Sequence, residues 1–234
     1  MRRSLAAALM LLLALPAAAQ FYTKGGEPAG VRWWQITTPS YRVIYPEGLD
    51  SLGRVYADML ERVKYSVGAT AGYVPNESYR KPLPIILHPN TANSNGMVVD
   101  APRRMELYTT PSYDPHDVGP WPLHLVTHES RHVAQMQYAN ARPYKPFRYI
   151  VGDIFSGAAA SLYCGPSFFE GDAVTAETEL THSGRGRNAS FLEYYRSAYL
   201  TGDTRDFWRW RFGSIKQYTT DYYNIGYIRA AGMR

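Results

Sequence analysis

Short apolar runs alternate with one long amphipathic stretch in the first half of the chain. Residues 41–45 (YRVIY) and 81–88 (KPLPIILH) predict strands, the second with prolines at its start, where a missing N–H is tolerated. From residue 52 to about residue 67, apolar residues recur at helical spacing. Residues 97–99 and 105–109 predict two more short strands around a turn that contains proline. The pattern indicates an α+β fold with a small, mostly antiparallel sheet that carries a helix.

The second half of the chain has a mainly helical pattern. Pro120 and Pro122 favour a helix start, and Asn140 with Pro143 favours a stop, so we predict a helix over about residues 121–139. Further helices are predicted over about residues 153–163, 167–180 and 191–200, and at the end of the chain.

The chain divides into a leader and one folded domain. Residues 1–19 combine two arginines, an apolar run shorter than the roughly 20 residues of a bilayer span, and small residues before Gln20. This order is typical of a secretory signal peptide. Residues 20–234 are expected to form one domain, with an α/β part at about 30–118 and a helical part at about 119–234. Because apolar residues keep helical spacing close to the end of the sequence, we expect a further C-terminal domain to follow.

Composition and charge restrict the compartment and the partners. The 234 residues are 45% hydrophobic, which is enough for one sizeable core. Removal of the leader would lower the formal net charge from +5 to +3, so no nucleic-acid partner is implied. Cys164 is the single cysteine, which excludes an internal disulfide, and we expect it to be buried. The leader has the short, Arg-Arg and Ala/Leu-rich form of a bacterial signal, and no later stretch is long and apolar enough to span a membrane. We therefore predict an exported bacterial protein: periplasmic, in the cell envelope or extracellular.

The stretch THESRHVAQ carries the pattern H-E-x-x-H in the middle of a predicted helix. Residues i and i+4 of a helix share one face, so His128 and His132 can each place a ring nitrogen about 2.0–2.1 Å from one Zn²⁺. Glu129 lies about 100° around the helix from His128. Its carboxylate would then adjoin the open position of the metal and act on a water without being a ligand. The alternative is a chance match on a surface helix.

A catalytic zinc ion needs a third protein ligand in addition to a water. The extension H-E-x-x-H-x-x-G-x-x-H is excluded, because Gln135 and Tyr138 occupy the positions of its glycine and last histidine. The other solution is a glutamate on a following helix. Glu170 lies near the start of such a helix, after two phenylalanines, and Gly171 is small enough to let this backbone approach the H-E-x-x-H helix. The alternative is a surface carboxylate favoured by the helix dipole.

Together, THESRHVAQ and FFEGDAVTAE resemble the motifs of the gluzincin metallopeptidases, in which a glutamate in a helix of form E-G-x-A is the third ligand. The chain from about residue 34 onward is similar to the amino-terminal peptidase-like domain of secreted bacterial proteins that continue into a TolB-like β-propeller. The resemblance implies a zincin-like fold, in which a small sheet lies above the H-E-x-x-H helix. It also implies one Zn²⁺ per chain, bound by His128, His132 and Glu170, with Glu129 as the general base.

The resemblance implies a peptide or protein substrate as well, bound along an edge strand that is either residues 97–100 or residues 105–109. The chain departs from the family at Val174, where several gluzincins carry an aspartate that orients a ligand histidine. Glu177 lies seven residues after the third ligand and on the same helix face, so it is the candidate replacement. The alternative for Glu177 is a solvated pair with Glu179.

Other residues near the two motifs have both a functional and a structural interpretation. His124 could reach toward the site, although capping by solvent is favoured for a histidine in a first helical turn. A donor for the oxyanion could be His182 or a tyrosine near the end of the chain, although such tyrosines also pack cores. An arginine of the Gly-rich loop could bind a substrate carboxylate or be solvated. These tyrosines are Tyr222, Tyr223 and Tyr227, and the arginines are Arg185 and Arg187.

The sequence therefore predicts a secreted zinc metallohydrolase, and a peptidase in particular. The metal would lower the pKa of its water toward about 7, and Glu129 would accept the proton and pass it to the leaving amine. Two alternatives stay open: a catalytically inactive zincin-fold binding module, or a structural domain of a larger cell-envelope protein.

Overall fold

The computed structural model of the chain describes residues 27–77, 81–100, 102–112, 119–140, 145–152, 158 and 164–234. The predicted signal peptide lies outside these residues, as does nearly all of the helix predicted over residues 153–163. No helix within the described ranges is long and apolar enough to cross a membrane.

The strands of the first half form one five-stranded sheet. They are β1 (Trp33–Thr37), β2 (Tyr41–Pro46), β3 (Leu83–His88), β4 (Gly96–Asp100) and β5 (Arg103–Tyr108). Their order across the sheet is β1-β2-β3-β5-β4. The β1–β2 and β4–β5 pairs are antiparallel, whereas β2 with β3 and β3 with β5 are parallel. The sheet is therefore mixed, with β4 at one edge.

The α+β class is confirmed, but the prediction of a mostly antiparallel sheet is wrong. The physical reason is α1 (Asp50–Ala71), which connects β2 to β3 and packs on β2. Parallel neighbours need a crossover of this kind, because a short hairpin can join only antiparallel strands. The apolar spacing of the sequence located the helix and both strands, but it did not indicate the direction of β3.

Helices make up most of the second half. Those of the described residues are α2 (Trp121–Ala139), α3 (Lys145–Val151), α4 (Gly165–Leu180), α5 (Ala189–Leu200), α6 (Phe207–Phe212) and α7 (Tyr222–Gly232), with a 3₁₀ turn at Arg185–Arg187. The predicted bounds of α2 are confirmed, and α4 and α5 each begin two residues earlier than predicted. The sequence pattern predicted neither α3 nor α6.

The main core lies between the sheet, α1 and α2. Alternate residues of the central strands point to one face and are buried there, as the period of two in a strand requires. Leu125, Val126 and Val133 of α2 join this core, and α2 also packs against α4. Because α2 is covered on both sides, its polar residues cannot form a surface helix face. Cys164, in contrast, is exposed, so the prediction of a buried cysteine is wrong.

Gly171 of α4 serves a different contact from the one we predicted. A Cβ atom placed on Gly171 would lie 2.0 Å from the backbone carbon of Gly226 in α7. The close backbone approach at Gly171 is therefore made to α7 and not to α2. This contact fixes the start of α4, and with it Glu170, against the last helix of the chain.

Candidate metal centre

Three side chains predicted as metal ligands meet at one point between α2 and α4. His128 Nε2 lies 3.2 Å from His132 Nε2, and Glu170 Oε2 lies 3.1 Å and 3.3 Å from these two nitrogens. Four ligand atoms at about 2.0–2.1 Å around a tetrahedral Zn²⁺ are about 3.3–3.4 Å apart. The three atoms therefore have the spacing of one face of a zinc coordination tetrahedron, and the residues fit the predicted metal.

Burial and charge couple these three groups strongly. Burial opposes ionisation of Glu170, but hydrogen bonds with His128 and His132 outweigh it and hold the pKa of Glu170 well below its usual range. Burial alone would lower the pKa of His132, yet the bond to Glu170 and its charge raise that pKa to about 9. A metal ion bound here would therefore compete with protons for the ring nitrogens, so metal binding is expected to release protons.

Glu177 orients the first histidine of the motif. Its Oε2 atom lies 3.0 Å from His128 Nδ1, which leaves Nε2 facing the cluster. Arg185 holds both oxygens of Glu177, through Nε at 2.8 Å and Nη2 at 3.0 Å. Burial opposes ionisation of Glu177, but Arg185 and His128 keep its pKa well below the usual range. The predicted contact of Glu177 with a histidine of the motif is confirmed, and the alternative of a solvated pair with Glu179 is wrong, because Glu177 is buried.

Gln135 orients the second histidine, and the sequence reasoning missed it. Its Oε1 atom lies 2.8 Å from His132 Nδ1. Its Nε2 donates to the carbonyl of Phe169 at 3.0 Å and to Asp172 Oδ2 at 2.7 Å, so the amide can present only its oxygen to His132. Asp172 in turn accepts two hydrogen bonds from Arg131. The signal available in the sequence was the i, i+3 spacing of His132 and Gln135 on one helix.

Glu129 lies beside the cluster without joining it. The residue is buried, and its Oε2 atom has no hydrogen-bond partner. Burial raises the pKa of its carboxyl. A Cβ atom on Gly96, the first residue of β4, would lie 2.5 Å from Glu129 Oε1, so this glycine leaves the space that the carboxylate needs. A buried carboxylate oxygen without a partner is costly to maintain, and this one lines a cleft.

The cleft above the three predicted ligands has a volume of about 770 Å³, and all three line it. The start of β4 borders the cleft, and so do the Gly-rich loop after α4 and Tyr223. Of the two edge strands that we considered, β4 is at the edge of the sheet, whereas β5 lies between β3 and β4. A cleft of this volume is large enough for a segment of extended peptide.

The remaining predicted residues divide between the cleft and the core. His124 is buried and its Nε2 contacts Ser183 Oγ, so the prediction of a solvent-capped side chain is wrong. His182 is exposed at the rim of the cleft. Tyr223 lies against His128, with ring centroids 6.3 Å apart. Tyr227 packs on Phe191.

The chain matches no protein-family model, and a search of the curated proteins found no match. What the structure itself shows is a group that could bind a metal ion, formed by His128, His132 and Glu170. The gluzincin resemblance and the enzymatic activity stay predictions.

Proposed function

We propose that the protein is a zinc-dependent hydrolase of gluzincin type that cleaves peptide bonds. One observation carries this proposal: two imidazole nitrogens and one carboxylate oxygen converge at tetrahedral spacing beside the buried carboxylate of Glu129, whose Oε2 atom has no hydrogen-bond partner. An incidental pair of histidines on a surface helix would need neither Glu170 nor outer partners such as Glu177. A structural zinc site would be expected to use four protein ligands, whereas this group supplies three.

The donor set favours zinc over calcium and magnesium. Calcium and magnesium prefer shells made of oxygen atoms, whereas two of the three donors here are imidazole nitrogens. Hydrogen bonds from Nδ1 to Glu177 and Gln135 leave both Nε2 lone pairs available to a metal. His128, His132 and Glu170 would hold the ion.

A bound zinc ion would supply Lewis-acid chemistry and an activated water. Glu129 would accept the proton of the attacking water and pass it to the leaving amine, as a general base and then an acid. Because burial raises its pKa and no donor occupies Oε2, this carboxylate is suited to accept a proton. Of the three tyrosines predicted near the end of the chain, Tyr223 is the best placed to donate a hydrogen bond to the oxyanion, since it lines the cleft beside His128.

The edge strand supports a peptide as the substrate. β4 pairs with β5 along one side, borders the cleft and packs on α2. An extended peptide could add to its other side through backbone hydrogen bonds, which bind a substrate without strong sequence preference. The sheet lying on the H-E-x-x-H helix, with this strand at the cleft, supports a zincin-like arrangement. Export of the protein, supported by residues 1–19, and a following β-propeller belong to the same proposal.

Metal analysis of the purified chain, combined with digestion of a broad peptide library, tests the proposal. We expect about one zinc ion per chain and cleavage that a chelator abolishes and added zinc restores. Zinc without cleavage would favour the alternative of an inactive binding module. A chain that binds no metal would leave only the structural domain, and the proposed hydrolase would be wrong.

Replacing Gly96 with alanine should weaken hydrolysis without removing the metal. The new Cβ atom would overlap the Glu129 carboxylate, whose Oε1 lies 2.5 Å from its position, and the three atoms nearest to it all belong to Glu129. Displacement of a reacting group by about 1 Å can cost about 10²-fold in rate. Steady-state kinetics and zinc content measure the two effects. Gly30→Ala is a control because a Cβ atom there meets open space, and unchanged hydrolysis in Gly96→Ala would contradict the role of Glu129.

A further inference from the structure

The two arginines of the loop after α4 have different partners. Arg185 bonds both oxygens of Glu177 and also lies 3.0 Å from His128 Nδ1, so its guanidinium is committed to the metal centre. Arg187 is exposed and lines the cleft. No carboxylate in the described part of the chain forms an ion pair with it. The loop therefore presents one engaged cation and one available cation to the same cleft.

The turn that carries Arg187 is held firmly. The backbone N–H of Gly186 donates to Thr178 Oγ1 at 3.1 Å, and that of Arg185 donates to Glu177 Oε1 at 3.0 Å. Gly184 adopts φ 92°, and a Cβ atom there would lie 2.7 Å from Thr178 Cα, so the turn packs directly on α4. These contacts fix the turn to the helix that carries Glu170.

The side chain of Arg187 is positioned as well. Its Nε and Nη2 atoms both donate to the backbone carbonyl of Thr178, at 3.3 Å and 3.0 Å. These bonds use one edge of the guanidinium and leave the Nη1 donors for another acceptor. An arginine in a solvated loop would lose conformational entropy on binding a ligand, whereas this one is already ordered.

We propose that Arg187 anchors a carboxylate group of the peptide substrate, and that the cleft therefore prefers peptides that present a free carboxylate at this position. This inference rests on the proposed function in one respect, namely that the substrate is a peptide. A guanidinium binds a carboxylate with charge-assisted hydrogen bonds, which are stronger than neutral ones. Three carboxylates line the cleft: Glu170 and Glu177 are held by histidines or by Arg185, and the buried Glu129 forms no ion pair with Arg187, so none of the three neutralises it. The carboxylate could be the C-terminus of the peptide or an acidic side chain.

Peptide binding tests this inference separately from catalysis. Two pairs of fluorescently labelled peptides share one common sequence. The members of the first pair differ in a C-terminal carboxylate or amide, and those of the second differ in Asp or Asn at one internal position. Their dissociation constants would be measured by anisotropy on the Glu129→Gln protein, so that hydrolysis does not consume the probe. We expect one carboxylate to strengthen binding about tenfold over its neutral counterpart, and the advantage to fall as salt is added. The peptide pair that shows the preference identifies the source of the carboxylate.

Arg187→Gln should abolish this preference, and Arg187→Lys should keep part of it, because lysine retains the charge but not the fork. Arg209→Gln, an exposed arginine of α6 outside the cleft, should leave it unchanged. Thermal unfolding of each variant checks that the chain is folded. Equal binding of charged and neutral peptides, no binding of either, or a preference that survives Arg187→Gln would each overturn the inference.

Zinc content and turnover of the unsubstituted chain, measured in parallel, keep the two proposals distinct. If the chain binds no zinc or cleaves no peptide but prefers carboxylates through Arg187, the proposed hydrolase is wrong and the carboxylate site stands. If the chain cleaves peptides without any such preference, the hydrolase stands and the role of Arg187 is wrong.

Discussion

Glu129→Gln is expected to lower peptide hydrolysis by a factor of about 10² to 10⁴, the loss expected for a missing general base, while zinc stays near one ion per chain. Glutamine keeps the size and shape of glutamate but cannot accept the proton. The three predicted ligands are untouched, and Oε2 of Glu129 makes no hydrogen bond whose loss would disturb the fold. The measurement is kcat/KM on a peptide found by library digestion, with metal analysis of the same preparation.

Glu179→Gln is a matched control for this substitution. Glu179 is a partly exposed residue of α4 whose carboxylate pairs with Arg234, so its loss removes a charge without entering the cleft. We expect near-normal turnover and metal content. If Glu129→Gln keeps the turnover of the unsubstituted chain, the activity belongs to a contaminant or the domain is a binding module, and the peptidase proposal fails.

Local signals were sufficient for the longest helices. Pro120 and Asn140 bracket α2, and the predicted bounds agree with the structure because start and stop residues act within one turn of the helix. For α4 the predicted end agrees with the structure, but the helix begins at Gly165 and Pro166, two residues before the predicted start. Proline in the first turn of a helix is tolerated, and the prediction did not use this.

Strand pairing depends on contacts between distant residues, and here the sequence was misleading. β1 was not predicted, because Trp33 and Trp34 are both partly exposed and the strand lacks an alternating buried face. β1 is held as a strand by its antiparallel pairing with β2, and not by an alternation of buried and exposed residues of its own. The parallel pairing of β3 follows from the crossover through α1, which no periodicity within β3 records. The sheet was therefore predicted in its parts but not in its topology.

The candidate metal centre was predictable to the extent that it lies on helices. The spacings of His128 with His132, and of Glu170 with Glu177, fix shared helix faces before any tertiary contact is known. The loop that follows α4 is different, because the direction of its side chains depends on the positive φ of Gly184 and on packing against α4. The separate partners of Arg185 and Arg187 could therefore be found only in the structure.

Glu170→Ala is expected to weaken zinc binding by more than the 10- to 100-fold typical of changes outside the ligand shell, whereas Glu179→Ala should leave zinc binding unchanged. Both residues lie on α4, but only Glu170 contacts the two histidines, at 3.1 Å and 3.3 Å, and Glu179 is turned toward Arg234. Comparison of Glu170→Ala with Glu179→Ala therefore separates the loss of a ligand from the loss of a negative charge on the same helix. Competition with a chromophoric chelator gives the zinc affinity of each variant.

His132→Ala should lose both the metal and the hydrolysis, since two ligands cannot replace three at a catalytic zinc. This result differs from that of Glu129→Gln, where the metal stays and only the rate falls, and the contrast separates ligand from proton acceptor. Unfolding curves recorded without metal show whether each chain is folded before zinc is added. Glu170 supplies the carboxylate oxygen of the three-residue group, so its loss should lower zinc affinity more than the loss of Glu179. Equal zinc affinity in Glu170→Ala and Glu179→Ala would show that Glu170 is not a ligand.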